Sequence, residues 1–343
     1  MDVFEEYTLD GDSNYSDYYD NQESLENFGL CHKKHLRKFG KIFLPVFYFV
    51  VCILSVVTNV GMIVIFLKNS HLRRPLAVGM VISDLLFSLT LPFWAVYAHE
   101  EWIFGQFACK TVTLVYTTTL YSGIFFTACM NLHRYLDVVC LLSFLRMGVK
   151  LNVMCAVVWV LALLASTPHV TFVEVQHFQG QQICTFHLKH EHSFHWKIFM
   201  RLEMNIAGFL VPLLVMLFCS VRMANMVKKT GKRSDVFIVE FAFVGLFFVL
   251  WFPYNIVLFL HALQELHIIS DCSFSNTLDL AVQLTESFAF THAFLHPFLY
   301  GLMNRGIWKC LKIRHRKDRS EFKTGTSSHA PCLENDVELT AVN

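Results

Sequence analysis

Seven stretches of mostly apolar residues run along this chain, each long enough to cross a bilayer as a helix. A crossing needs roughly 20 such residues, because an α-helix rises about 1.5 Å per residue and the hydrocarbon core is about 30 Å thick. The stretches extend from Ile42 to Leu67, Leu76 to Ala98, Cys109 to Val139, Leu151 to Phe172, Trp196 to Met226, Val236 to Leu263 and Leu278 to Met303, with polar or charged turns between them. The third and fifth are long and carry a few polar positions, whereas the first, fourth and sixth are more uniformly apolar. Between Phe172 and His187 the alternation around Gly180 predicts a β-hairpin with Cys184 on its second strand. After the seventh stretch, Asn304 to Ile313 reads as a short amphipathic helix along the membrane, Trp308 toward lipid and Arg305, Lys309 and Lys312 toward head groups. The predicted fold class is an all-α membrane protein. A seven-helix bundle over residues 39–303 follows an N-terminal arm (1–38) and precedes a surface helix (304–313) and a polar tail (314–343).

Composition agrees with this pattern. The 343 residues are 55% hydrophobic and 16% charged, where a soluble chain runs nearer 45 to 50% and about 25%. A net charge of +1 gives no overall field for nucleic acid, so the distribution of charge matters more than its sum. With the N-terminus outside, nineteen of the 28 Lys and Arg residues fall on the inner side and nine on the outer, the sense that basic residues favour. The local signal at the first stretch opposes this, because Lys33, Lys34, Arg37, Lys38 and Lys41 precede it and only Lys68, Arg73 and Arg74 follow. The whole-chain count decides for an outer N-terminus. No cleavable leader is expected, since the first thirty residues are acidic and lack an apolar run.

On this topology Cys31, Cys109, Cys184 and Cys272 all lie outside, in an oxidising compartment where disulfides form. Four cysteines allow three pairings, and spacing does not choose among them. The first thirty residues hold nine acidic side chains and no Lys or Arg, a composition that does not fold alone. Tyr18 and Tyr19 sit between Asp17 and Asp20, a context suited to tyrosine sulfation, and Asn14-Tyr15-Ser16 is an outer glycosylation sequon. Within the apolar stretches Glu286 stands out. A carboxylate there is costly unless it faces a cavity and finds a partner, so it is a candidate functional group, with Glu203 as a second.

Taken together, Asn59, Ser83-Asp84, Trp102-Ile103-Phe104-Gly105 with Cys109, Arg134-Tyr135-Leu136, Trp159, Pro212 and Trp251-Phe252-Pro253-Tyr254-Asn255 resemble the rhodopsin-like seven-helix receptors. Thr90-Leu91-Pro92-Phe93-Trp94, Tyr121-Ser122-Gly123, Glu286 and the cysteines Cys31 and Cys272 narrow the resemblance to the chemokine receptors. Residues 39–48 and 250–263 look most like the CC-class atypical, scavenging receptor. The resemblance implies a fold, two disulfides (Cys109 with Cys184, Cys31 with Cys272) and a ligand, a basic chemokine, with the CC class favoured. An acidic arm would steer such a ligand toward the mouth. Tyr48, Trp94, Tyr116, Trp251 and Tyr254 would converge with Glu286, which in this family receives the chemokine's positively charged N-terminus.

The inner face departs from the family. The resemblance leads one to expect an acid before Arg134, holding that arginine at rest, and the chain has His133 instead. Asp137, three residues beyond Arg134, is the group available to replace it in part. Ser220 stands where a tyrosine would join Tyr300 in the active state, and His296-Pro297 replaces an asparagine-proline pair. Three changes on the route from ligand to G protein point to a scavenger with reduced G-protein coupling. Loss of the resting lock could equally give constant signalling.

Other classes fit less well. His190-Glu191 begins a zinc-protease pattern, but Phe194 occupies the place of the second histidine, so no enzyme and no metal are expected. A channel or transporter would need internal repeats or broken, charged helices, and neither is visible. No cofactor is implied. His187, His190, His192 and His195 form a cluster beside the expected mouth, where acidification would add positive charge. Cys310 is a candidate palmitoylation site, and Ser320, Thr324, Thr326, Ser327 and Ser328 are candidate phosphosites for arrestin. The expected location is the plasma membrane, multi-pass, with endosomal cycling on the scavenger reading.

Overall fold

A computed structural model describes residues 34–69, 73–139, 148–178, 180–186, 193–230, 235–266, 268 and 272–303. Several expectations lie outside the described residues. They are the acidic arm with Asn14, Tyr18, Tyr19 and Cys31; the loop histidines His187, His190 and His192; the surface helix 304–313 with Cys310; and the tail. The side chain of Cys272, and so its pairing with Cys31, lies outside them too.

The chain runs through α1 (Lys34–Lys68), α2 (Pro75–His99), α3 (Gly105–Val139), α4 (Gly148–Thr171), β1 (Val173–Phe178), β2 (Gln181–Phe186), α5 (Ser193–Glu203), α6 (Val211–Thr230), α7 (Asp235–Glu265), α8 (Cys272–Phe290) and α9 (His292–Met303). A wide-turned π segment, Met204–Leu210, joins α5 to α6, so these three form the fifth crossing. Among the described residues, six helical runs are long and apolar enough to span a membrane. The seventh stretch, expected as one run from Leu278, is two helices that meet at Thr291 and begins earlier, at Cys272. The first likewise begins at Lys34 rather than Ile42.

Packing closes the helices into a ring: α1 lies along α2, α2 on α3, α3 on α4 and α6, α7 on α8, and α9 returns to α1 and α2. In α3, 72% of the most apolar window is buried, against 17% in α4, so α3 is the axis of the bundle and α4 its outermost helix. The exposed face of α4 carries Val153, Val157, Val160, Leu161 and Leu164, an apolar surface suited to lipid.

Close approach between α2 and α3 depends on Gly79. A Cβ there would clash with the Phe126 ring, which is itself fully buried. Short polar side chains then fasten the axis: Ser83 Oγ donates to the Thr119 carbonyl at 2.7 Å, and Thr118 Oγ1 donates to Ser166 Oγ at 3.1 Å.

Within α9, Pro297 creates a link to α1. Pro297 lacks an N–H, so the carbonyl of Ala293, four residues earlier, loses its helical donor. Asn59 Nδ2 (2.8 Å) and Ser55 Oγ (3.0 Å) from α1 donate to that carbonyl instead, which ties the first crossing to the last.

The hairpin appears where alternation predicted it. Its strands pair antiparallel with Val175 opposite Cys184, and Gly180 (φ +78°) supplies the left-handed residue of the turn. Three contacts fix its position. Cys184 is disulfide-bonded to Cys109 of α3, Trp102 N–H donates to the Gln182 carbonyl at 2.8 Å, and Glu101 Oε2 accepts from the Gln182 N–H at 2.6 Å. Trp102 is fully buried against Trp94, Tyr97 and Phe104, with its Nε1 donating to the Gly105 carbonyl. The Trp-x-Phe-Gly motif is therefore the seat on which the hairpin rests.

Candidate functional site: an open cavity and a buried polar core

Along α8, Val282, Gln283, Glu286, Ser287, Ala289 and Phe290 are buried while Leu284 and Phe288 are exposed. That helical period turns Glu286 inward. It faces Tyr116 of α3, whose hydroxyl donates to Glu286 Oε1 at 3.2 Å. Aromatic rings pack around this pair: Trp94 and Phe87 lie 5.6 and 5.5 Å from Tyr116, Phe290 lies 5.8 Å away, and Tyr48 packs on Phe290 at 5.6 Å.

Glu286 and Tyr116 line an open-mouthed cavity. Tyr254 and Leu258 of α7, Thr117 and Leu120 of α3, and Phe186 of the hairpin complete the apolar part of its wall. Lys197, Met200, Arg201 and Met204 supply another side, and His169 of α4 a third. Of the expected pocket residues, Tyr116, Tyr254 and Glu286 reach this cavity. Tyr48 and Trp94 stand behind Tyr116, and Trp251 stands behind Tyr254 (6.3 Å between rings). Glu203 is one layer back, its Oε2 3.4 Å from Nε2 of His169. Tyr121 and Phe186 rings flank that histidine at 6.2 and 6.0 Å.

From Tyr254 a chain of packed rings leads inward. Trp251 lies 5.3 Å from His292, and His292 lies 5.3 Å from His296. Nδ1 of His296 is 3.3 Å from Oδ2 of Asp84, and Nε2 of His292 is 3.8 Å from Oδ1. All three groups are at most 2% exposed. Nδ1 of His292 lies 2.8 Å from the Ala289 carbonyl, so in the neutral ring it carries the proton. Nearby, Ser88 donates to the Asp84 carbonyl and shares a short hydrogen bond with Ser55.

At the Arg134 end, Asp137 sits on His133, with Nδ1 to Oδ2 at 3.1 Å, the two residues being one helical turn apart. The carboxylate expected beside Arg134 is thus engaged by the histidine that replaces the acid. The Arg134 guanidinium lies 5.8 Å from the centre of the Phe243 ring, and Tyr135 packs on Phe218. Ser220 is buried, and its hydroxyl has no hydrogen-bond partner among the described residues. Tyr300, its expected counterpart, is buried against Phe66 at 6.0 Å.

Sequence reasoning missed His169, Lys197 and Arg201 as cavity groups and His292 as part of the core. His292 carried a signal, because it precedes His296 by four residues and so shares its helical face. The other three gave none, since one basic residue near the end of an apolar run reads as a boundary. Among the described residues, no group of three or more His, Cys, Asp or Glu could hold a metal ion.

Residues 58–300 match the family of 7 transmembrane receptors of the rhodopsin type. Full-length comparison finds 34% identity over 315 residues to atypical chemokine receptor 2 of Mus musculus, covering 89% of this chain and 83% of that protein. C-C chemokine receptor type 4 of Homo sapiens is 37% identical over 303 residues (85% and 82% covered), and the human C-C chemokine receptor type 1 is 33% identical over 296 (84% and 83%).

Proposed function

From the premise that this chain belongs to the chemokine receptors of the rhodopsin-like seven-transmembrane family, we propose that it captures a basic CC chemokine at the hairpin end. On this reading it carries the ligand into the cell with little G-protein activation. Membership makes it a multi-pass membrane receptor rather than an enzyme. The finer reading places the N-terminus outside and the hairpin over the mouth. The acidic arm meets the ligand's basic surface, the ligand's N-terminus enters the cavity, and its positive charge is received by Glu286.

The observation that carries the scavenging half is the seat of His296 on Asp84, 3.3 Å apart at the end of the ring path from the cavity. An imidazole held there by a buried carboxylate resists displacement, because freeing either partner leaves an uncompensated polar group in a low-dielectric core. Two features point the same way. Asp137 is held by His133, and Ser220 offers a short hydroxyl where a tyrosine would reach across to Tyr300. Such a bundle has an intact ligand end and a weakened lever at the other, so arrestin-supported or constitutive uptake, rather than G-protein turnover, is the output.

A signalling receptor is the second reading. It is favoured by the similarity to the two human C-C receptors, which is as strong as that to the atypical one. The test is a panel of labelled CC and CXC chemokines on cells expressing the chain. Saturable binding and uptake of CC members is the expected result. Binding of none would remove the receptor reading of the site, and binding of CXC members alone would remove its class.

A further inference from the structure

Asp84 and His292 meet in the core as two acceptors. Nδ1 of His292 lies 2.8 Å from the Ala289 carbonyl, which can only accept, so the ring hydrogen is there and Nε2 presents a lone pair. That lone pair faces Oδ1 of Asp84 at 3.8 Å, and neither atom has a hydrogen-bond partner among the described residues. The other carboxyl oxygen, Oδ2, takes Nδ1 of His296 at 3.3 Å. All three side chains are at most 2% exposed, so water is not there to relieve the opposed pair, and leaving two such atoms unsatisfied is costly.

We infer that Asp84 is a proton-binding site, held as the neutral acid with a hydrogen on Oδ1 that is donated to His292 Nε2. One proton then satisfies both carboxyl oxygens and the His292 ring. His296 Nδ1–H donates to Oδ2, Oδ1–H donates to His292, and His292 Nδ1–H donates to the Ala289 carbonyl. This one-way chain joins α9 to α2 and passes across Thr291, where α8 and α9 meet, to α8. Placing the same proton on His296 makes an ion pair, but it leaves Oδ1 and Nε2 opposed and puts two charges in a low-dielectric core. A hard metal ion would ask for several oxygens. Beside Oδ1 stands Gly123, where a Cβ would lie 3.4 Å away and which brings no side-chain oxygen. Phe87 and Ser88 of α2 and Trp251 of α7 pack against the group, and none of them is charged or competes for the proton. On the scavenging reading, the acid met after uptake finds Asp84 already protonated and leaves this core as it was at the cell surface.

The test is infrared difference spectroscopy of the purified, ligand-free receptor against Asp84→Asn, whose amide offers one donor and one acceptor in the same places. The unaltered receptor should show a protonated-carboxyl carbonyl band that shifts in heavy water and is missing from the variant, at about pH 7.4 and about pH 5.5 alike. His292→Phe removes the acceptor, so the same band should move to higher frequency as the O–H is left without a partner. That second variant carries the test if Asp84→Asn fails to fold. A spectrum with no acid band lost in Asp84→Asn and none moved in His292→Phe would overturn the inference, as would a band present only at the lower pH. Thermal stability supplies the other arm. A melting temperature raised by sodium chloride over equal choline chloride, in the unaltered receptor but not in Asp84→Asn, would assign the positive charge to a metal ion and overturn the proton. No chemokine enters either measurement, so failure here is distinct from failure of the ligand site.

Discussion

Glu286 and Asp84 are both carboxylates buried in the same bundle, and their surroundings differ in kind. Glu286 takes one tyrosine hydroxyl, Tyr116, and opens on a cavity with a mouth. Asp84 is enclosed by His296 and His292 within a packed core that contains Gly123 and Ser88. An acid that faces a cavity can receive a charge from outside, whereas an acid with its partners built in can only report a rearrangement of those partners. On the proposed function, the same chemical group serves recognition at one level and conformational balance at the other, with the packed rings of Tyr254, Trp251, His292 and His296 lying between them.

The most severe way to break the comparison is to unfasten the hairpin from the cavity end. Cys109→Ser removes a crosslink spanning 75 residues, worth about 4 kcal/mol by loop entropy. Surface expression should fall to a small fraction of normal by flow cytometry, with residual receptor binding no chemokine. Normal expression with normal affinity would show that Trp102 and Glu101 seat the hairpin unaided.

Next in size are the two acids themselves. Glu286→Gln should weaken chemokine binding roughly 30-fold, about 2 kcal/mol for one desolvated charge pair, at unchanged surface level. Asp84→Asn should leave affinity within about threefold and instead alter thermal stability of the purified receptor. If Asp84→Asn costs as much affinity as Glu286→Gln, the division between the two levels is wrong. Gly79→Ala sharpens the same division from the packing side. Its new methyl meets the fully buried Phe126 ring, which should lower stability by about 1–3 kcal/mol with no change in ligand preference.

A smaller gain is expected from rebuilding the lever. His133→Asp, Ser220→Tyr and His296→Asn together should raise chemokine-driven G-protein activation several-fold, measured by cyclic AMP, while each alone recovers less because the three act on one equilibrium. The smallest effect concerns the loop histidines. Ligand release should speed up a few-fold from pH 7.4 to about 5.5, if acid adds positive charge beside a basic ligand at these side chains. Changing His187, His190, His192 and His195 to Gln should abolish that acceleration in a surface off-rate assay.

Much of this was legible in the chain because the bilayer imposes a strong pattern. Helix count, the hairpin at Gly180 and the inward turn of Glu286 all follow from periodicity and from the cost of polar groups in apolar stretches. The Cys109–Cys184 pairing was not; it came from resemblance, and the structure supplied the geometry. Helix starts were misjudged at Lys34 and Cys272, where polar residues extend a helix beyond its apolar part. Asp137 was expected beside Arg134, yet sequence spacing does not rank a neighbour three residues away against one four residues away, and the structure places it on His133. Arg201, counted only as an outer charge, lines the cavity, a tertiary outcome that no local pattern encodes.

If an intact ligand end has been joined to a weakened inner lever, uptake and signalling separate in a single measurement. In cells expressing the unaltered chain, uptake of a labelled CC chemokine and cytosolic calcium are followed together over a ligand titration. The account predicts saturable uptake with calcium at baseline throughout. A calcium rise that tracks receptor occupancy and is abolished by Glu286→Gln would contradict it.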